Sequence, residues 1–270
     1  MLVSPAVEPS PSRPGRRRPP ELVAHRGYAS RFPENTIVAL EAALDAGARF
    51  VEVDVQLSSD GHPFLFHDRT LERLCGATGP VHARTRAELG ALPCAERGRF
   101  GERFAGERMA DLPGLVALLA RHPAAFAFVE LKRASVERFG AAAFLDAVLP
   151  LLDPVRARAA LISFSLEVLA EARPRTRLPL GAVFGDLAER ESPEARALAP
   201  EYVFCDVDGL PASGALEAEP AKLAVYEVAD AALALELGAR GADFVETFAI
   251  GEMIAAFREL EARRAGGGSP

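Results

Sequence analysis

Short runs of β-branched, aromatic and aliphatic residues recur along the chain and alternate with stretches of helical periodicity. The runs are Leu22–Ala24, Phe50–Gln56, Pro63–Phe66, Phe126–Leu131, Ala160–Phe164, Leu180–Phe184, Tyr202–Asp206, Leu223–Val228 and Asp243–Thr247, each of strand length. Between the first two, Ile37, Leu40, Ala43 and Leu44 follow a 3.6-residue period, with Asn35 or Thr36 placed to cap the helix and Gly47 to end it. Leu115, Val116, Leu118 and Leu119 begin another helix after Pro113. Strand runs separated by helical ones predict βα units and a parallel sheet. The second and third runs are the exception, because only Leu57 to His62 separate them and Asp60-Gly61 is a hairpin turn signal. The third run is therefore expected to fold back antiparallel on the second, leaving eight parallel strands. Eight such strands in about 245 residues predict an α/β fold, a (β/α)8 TIM barrel with a small insertion after the hairpin that follows the second barrel strand.

The pattern also sets boundaries. Residues 1–20 contain six of the 21 prolines and the Arg16-Arg17-Arg18 cluster without apolar periodicity, the signature of a disordered tail. The barrel is expected over 21–263 and a flexible terminus over 264–270. Residues 68–111, rich in Gly, Arg and Glu, are too long for an ordinary loop and predict an inserted subdomain at the barrel mouth. The longest apolar runs, Ala141 to Leu152 and Leu223 to Leu237, are interrupted by Asp146, Glu227, Asp230 and Glu236. No stable membrane insertion is expected from them. The basic cluster of the tail follows prolines and leads straight into Glu21-Leu22-Val23, unlike an export signal. Cys75, Cys94 and Cys205 include no C-x-x-C pair, so a reducing, cytoplasmic setting is expected.

Composition changes one thing. At 49% hydrophobic residues, the 270-residue chain can build a large core, and its formal charge is -7. That balance argues against nucleic acid as a partner. An anionic substrate would need a local cluster or a bound cation to hold it.

Such a cluster is legible in the strands. In the second run, Val51-Glu52-Val53-Asp54-Val55 puts two carboxylates on one face and the valines on the other. Acids facing a barrel axis are costly without a partner. A hairpin turn centred between Ser59 and Asp60 would set His67 opposite Glu52 on the same face. His25 ends the first run, and Glu130 ends the Phe126–Leu131 run with Lys132 two residues on. All lie at carboxyl ends of strands, where barrel sites form. Three carboxylates with no cysteine suit one hard, oxygen-preferring divalent cation, Mg2+ or Ca2+, and two histidines can transfer protons near neutral pH. The alternative is that these acids only pair with Arg26 or Lys132. His62, His82 and His122, in turn or insert sequence, are expected to be solvated, and Cys205 to be core.

His25-Arg26-Gly27, Pro33-Glu34-Asn35-Thr36, Glu52-Val53-Asp54-Val55, Asp60-Gly61, His67-Asp68 and Glu130-Leu131-Lys132, in that order, resemble the glycerophosphodiester phosphodiesterase family. The likeness is dense from Leu22 to Arg73 and thins afterwards to Gly79-Pro80-Val81, Met109 to Leu119, Ser163-Phe164 and Gly241-Ala242-Asp243. The resemblance implies a barrel with an insertion after the His-Asp motif. It also implies metal ligation by Glu52, Asp54 and Glu130, acid and base roles for His25 and His67, and phosphate contacts from Arg26 and Lys132. The implied substrate is a small glycerophosphodiester, cleaved to glycerol 3-phosphate and an alcohol.

Two departures fall in the last third. Tyr226-Glu227-Val228-Ala229 stands where the family often has Trp-Thr-Val-Asn, and Thr247-Phe248 where a Thr-Asp pair usually closes the last strand. Tyr226 is a candidate wall of the alcohol-side pocket, with its hydroxyl as a polar handle, and Glu227 and Glu246 add negative charge if they face the mouth. By strand alternation only one of Tyr226 and Glu227 should line the site. Competing readings are a phospholipase D-type enzyme for lysophospholipids or sphingomyelin, which would need an exposed apolar patch at the mouth, and a noncatalytic phosphodiester-binding barrel. In the insert, Leu71, Leu74, Leu89, Leu92, Phe100 and Phe104 are the candidates for such a patch. A metal-dependent amidohydrolase would ordinarily carry His-x-His in its first strand, which His25-Arg26-Gly27 is not.

Overall fold

A computed structural model describes residues 19–266. Nine strands form: β1 (Glu21–His25), β2 (Phe50–Leu57), β3 (Pro63–Leu65), β4 (Phe126–Leu131), β5 (Ala159–Ser163), β6 (Leu180–Phe184), β7 (Tyr202–Asp206), β8 (Lys222–Tyr226) and β9 (Phe244–Thr247). Eight are parallel, each hydrogen-bonded to its neighbour, and β1 pairs with both β2 and β9, which closes a (β/α)8 barrel. β3 alone is antiparallel, on β2.

The register of that hairpin differs from expectation by one residue. Val55 faces Leu65 and Gln56 faces Phe64, so the turn centres on Asp60 and His67 is not opposite Glu52. β3 ends at Leu65, which frees the following residues from strand alternation.

Helices α1 (Ile37–Asp45), α2 (Glu72–Cys75), α3 (Arg86–Ala91), α4 (Arg97–Phe100), α5 (Leu112–Arg121), α6 (Arg133–Phe139), α7 (Ala141–Leu152), α8 (Leu166–Ala172), α9 (Pro193–Leu198), α10 (Ala231–Arg240) and α11 (Ile250–Gly266) follow in chain order. The Thr36 hydroxyl caps α1 by accepting from Ala39 N, and Asp111 caps α5 by accepting from Gly114 N, which satisfies otherwise unpaired helix N–H groups. α11 continues to Gly266, beyond the expected barrel end at 263, and Pro20 is already buried. The rest of the expected tails, 1–18 and 267–270, lies outside the described residues.

Two apolar layers result from strand alternation. Val51, Val53 and Val55 of β2 join the layer between strands and helices. Phe128, Phe204 and Phe244, with Val23, Ile162 and Val183, fill the barrel interior. Phe128 meets Phe204 and Tyr202 edge-on at 5.1 Å, and Phe50 meets Phe244 at 5.0 Å. This aromatic floor closes the barrel below the polar side chains at the strand ends.

Segment 68–111 holds α2, α3 and α4, which bury Leu71, Leu74, Cys75, Val81, Leu89 and Cys94 together with Phe64, Phe66 and Met109. The apolar residues offered as a lipid-facing patch are thus mostly turned inward, with Leu71 and Leu89 fully buried and Phe104 nearly so. His62 is not solvated as expected: its Nε2 lies 2.8 Å from Asp111 Oδ2 and its side chain is largely buried. Cys205 is core.

Candidate active site

The carboxyl ends of β1, β2, β4, β8 and β9 meet around a cavity of about 260 Å3 lined by His25, Arg26, Glu52, His67, Glu130, Lys132, Glu227, Glu246 and Phe248, with Ile162, Phe164, Val183, Phe204 and Tyr226 on its apolar side. β2 pairs with β4 so that Asp54 stands beside Glu130. Glu52, Asp54 and Glu130 each offer a carboxylate oxygen within 4.8 Å of the others, and all three are buried.

Local geometry explains how each group is held. The Arg26 N–H donates toward Glu52 Oε2 at 3.2 Å, in a left-handed turn where Arg26 has φ 58° and Gly27 φ 83°. A Cβ on Gly27 would lie 2.7 Å from Ala39 C, so α1 packs directly on this turn. Asn35 reads Asp54 twice: its amide donates to Asp54 Oδ2 at 2.8 Å and its carbonyl accepts from Asp54 N at 3.1 Å. Gln56 Nε2 reaches the carbonyls of Phe66, His67 and Asp68 at 2.9, 3.2 and 2.7 Å. The β2 pairing extends to a last bond from Phe66 N to Asp54 O at 2.8 Å, and Gln56 then holds the carbonyls of the turn that carries His67 into the cavity.

Positive charge is shared with the acids. Lys132 Nζ lies 3.0 Å from Asp54 Oδ1 and 2.9 Å from Glu130 Oε1, and Arg26 pairs with Glu34 at 3.0 Å and Asp54 at 3.1 Å. Burial alone would raise the Asp54 carboxyl, but Lys132, Arg26 and the two histidines hold it below its usual range. Burial likewise opposes the charge of Lys132, yet Asp54 and Glu130 raise its ammonium above the ordinary value. Glu52 is different. Burial, and then the charges of Asp54, Glu246 and Glu130, push its carboxyl well above the carboxylate range. Its Oε1 and Glu246 Oε1 are buried without a hydrogen-bond partner. Arg26 and Lys132 make their ion pairs at the site with Asp54 and Glu130, which leaves Glu52 and Glu246 each with an oxygen that has no partner. An all-oxygen donor set with orphaned, buried oxygens fits a hard divalent cation.

The two histidines have acidic partners. His25 Nδ1 lies 2.5 Å from Glu227 Oε2, and its ring stacks on Phe248 at 4.7 Å. Burial lowers its pKa, and the Glu227 hydrogen bond opposes that shift. His67 Nδ1 lies 3.0 Å from Asp68 Oδ1. Asp68 and Glu34 are both bridged by the Arg73 guanidinium at 2.7 to 2.9 Å, so the second acidic group, Glu34 with His67 and Asp68, is already neutralised by a cation.

Tyr226 and Glu227 both line the cavity, contrary to the alternation argument. β8 ends at Tyr226, so period-two alternation no longer governs Glu227. The Tyr226 hydroxyl is not a free polar handle, because it donates to Phe184 O at 2.8 Å. Sequence reasoning missed Asn35 and Gln56 as supports and Phe248 as the wall behind His25.

The family model for the glycerophosphoryl diester phosphodiesterase family matches residues 25–222. The chain belongs to this family. A family relative from Caldanaerobacter subterraneus subsp. tengcongensis, a glycerophosphodiester phosphodiesterase, is 43% identical over 91 residues, 34% of this chain and 37% of that protein. Glycerophosphodiester phosphodiesterase 1 of Mus musculus is 35% identical over 122 residues, covering 43% of this chain and 37% of its own length. The matched segments thus span little more than a third of these relatives. The barrel resembles a solved Oleispira antarctica phosphodiesterase in complex with the product sn-glycerol-3-phosphate, with TM-score 0.77 at 22% identity over 88% of this chain and 97% of that one. The family match stops at residue 222, so Tyr226, Glu227, Glu246 and Phe248 complete the site from outside it.

Proposed function

We propose that the chain hydrolyses small glycerophosphodiesters to glycerol 3-phosphate and an alcohol, using one divalent cation, Mg2+ or Ca2+, and two histidines. The observation that carries this is the meeting of the buried Glu52, Asp54 and Glu130 carboxylates with His25 and His67 around one cavity at the strand ends. Glu52, Asp54 and Glu130 are the residues that hold the ion. When bound there, a divalent cation offsets charge on the nonbridging phosphate oxygens. The Lys132 ammonium pairs with Asp54 and Glu130 and borders the same cavity, so its charge also reaches a phosphate oxygen placed there. Arg26 keeps guanidinium donors beyond those on Glu34 and Asp54 and faces the same cavity, which completes the clamp.

His25 and His67 supply proton transfer to and from the attacking and leaving oxygens. Ile162, Phe164, Val183 and Tyr226 wall the apolar side of the cavity, where the alcohol portion has room. The buried apolar residues of the insert favour this small diester over a lipid substrate. A reducing, cytoplasmic setting belongs to the same reading, supported by three buried free cysteines. Among the described residues, no helix is long and apolar enough to cross a membrane.

A coupled assay for glycerol 3-phosphate with glycerophosphocholine and glycerophosphoethanolamine, with and without EDTA, is the test. Release that stops on chelation and returns with Mg2+ or Ca2+ is expected. His25→Ala and His67→Ala should each lower kcat by roughly 100-fold or more. Activity that survives full chelation overturns the metal role, and wild-type rates in the histidine variants overturn proton transfer.

A further inference from the structure

We propose that Glu227 is the positioning residue of His25: its carboxylate holds the imidazole as the Nδ1–H tautomer with Nε2 turned to the cavity, so that Nε2 is the atom that exchanges the proton. This role presupposes the diesterase reading above. Glu227 Oε2 lies 2.5 Å from His25 Nδ1, whereas His25 Nε2 is 3.7 Å from Glu52 Oε2, beyond hydrogen-bond reach. An ionised carboxylate can only accept, so Nδ1 carries the proton of the neutral ring.

The carboxylate is itself anchored. Its other oxygen, Oε1, accepts from Phe248 N at 2.7 Å, so one side chain from the segment after β8 ties the segment after β9 to the end of β1. Phe248 contributes a second restraint, since its ring lies 4.7 Å from the imidazole and within 10° of parallel. The ring plane, its tautomer and the backbone behind it are therefore set by one constellation. His67 has a different arrangement: its partner Asp68 also accepts two hydrogen bonds from Arg73, whereas the hydrogen bonds of Glu227 come from the Phe248 amide and His25. Glu227 has no other partner among the described residues that would draw it from the ring.

The Glu227→Gln variant keeps the volume but leaves one carbonyl oxygen for two donors; with that oxygen on the Phe248 amide, the new NH2 group can bond Nδ1 only by donating to it, which favours the Nε2–H tautomer. Glu227→Ala removes both hydrogen bonds. With the full chain, a saturating cation and glycerophosphocholine, each variant is expected to lower kcat by roughly 10-fold or more with KM little changed, since a carboxylate that sets the tautomer of a working histidine can be worth up to about 10^4-fold. Nitrogen-15 NMR of wild-type His25 is expected to report a proton on Nδ1 in the neutral ring, and Glu227→Gln to raise the share of the Nε2–H tautomer. An active wild type with unchanged variants, or a loss confined to KM, overturns the positioning role alone. An inactive wild type overturns both that role and the diesterase reading. A wild-type ring protonated on Nε2 overturns the tautomer assignment and needs no variant, so a misfolded Glu227→Ala does not shield it.

Discussion

Glu52 is buried with one oxygen unpartnered and with Asp54, Glu130 and Glu246 as like-charged neighbours. Burial is the leading cause that raises the carboxyls of Glu52, Glu130 and Glu246. In the metal-free chain these groups keep protons above the ordinary value of 4.5 that the unfolded chain has lost. Their stabilising contribution is thus present at low pH and is lost as pH rises through their folded values. A divalent cation must displace the same protons, so its binding should release protons and weaken as pH falls. Titration calorimetry with Mg2+ or Ca2+ in two buffers of different ionisation enthalpy checks this. A binding heat independent of the buffer would refute the linkage.

At the scale of elements, the turn after β3 depends on a side chain of β2. Gln56 is buried and its amide spans the carbonyls of Phe66, His67 and Asp68. Removing it leaves the buried Phe66 carbonyl short of a donor and releases the backbone that aims His67. Gln56→Ala is expected to destabilise the chain by about 1–3 kcal/mol and to lower kcat further than that loss of folded protein explains. Denaturant unfolding and turnover on the same preparation separate the two effects. Loss of stability with an unchanged kcat per folded molecule would show that His67 is aimed by something else. The same logic explains why the one-residue shift in hairpin register leaves the cluster intact: β3 ends at Leu65, its pairing closes with Phe66 N on Asp54 O, and beyond that point Gln56 holds the turn.

For the molecule as a whole, the insert decides what can approach the mouth. Leu71, Leu74 and Leu89 lie in its own core with Phe64 and Phe66, so of the insert's candidate patch only Leu92 and Phe100 keep partial exposure for an acyl chain. Turnover of lysophosphatidylcholine is therefore expected to fall below that of glycerophosphocholine in side-by-side assays, and the reverse order would favour a lipid substrate. The barrel and the acid cluster were legible in the sequence because they rest on local rules. Period-two alternation puts Glu52 and Asp54 on one face of β2, and the short Asp60-Gly61 connection forces β3 to fold back. Thr36 and Asp111 cap their helices through contacts three residues away. Other features depend on contacts between distant residues and on where each strand stops. Glu227 meets His25 across 202 positions, and it faces the cavity because β8 ends one residue earlier. Asn35 reaches Asp54 only when the turn after β1 is packed under α1. The sequence by itself determined eight parallel strands and a ring of acids at their carboxyl ends. Only the tertiary structure decided which oxygens stay unpaired and which carboxylate stands behind each histidine, because those follow from packing among strand ends that no local pattern records.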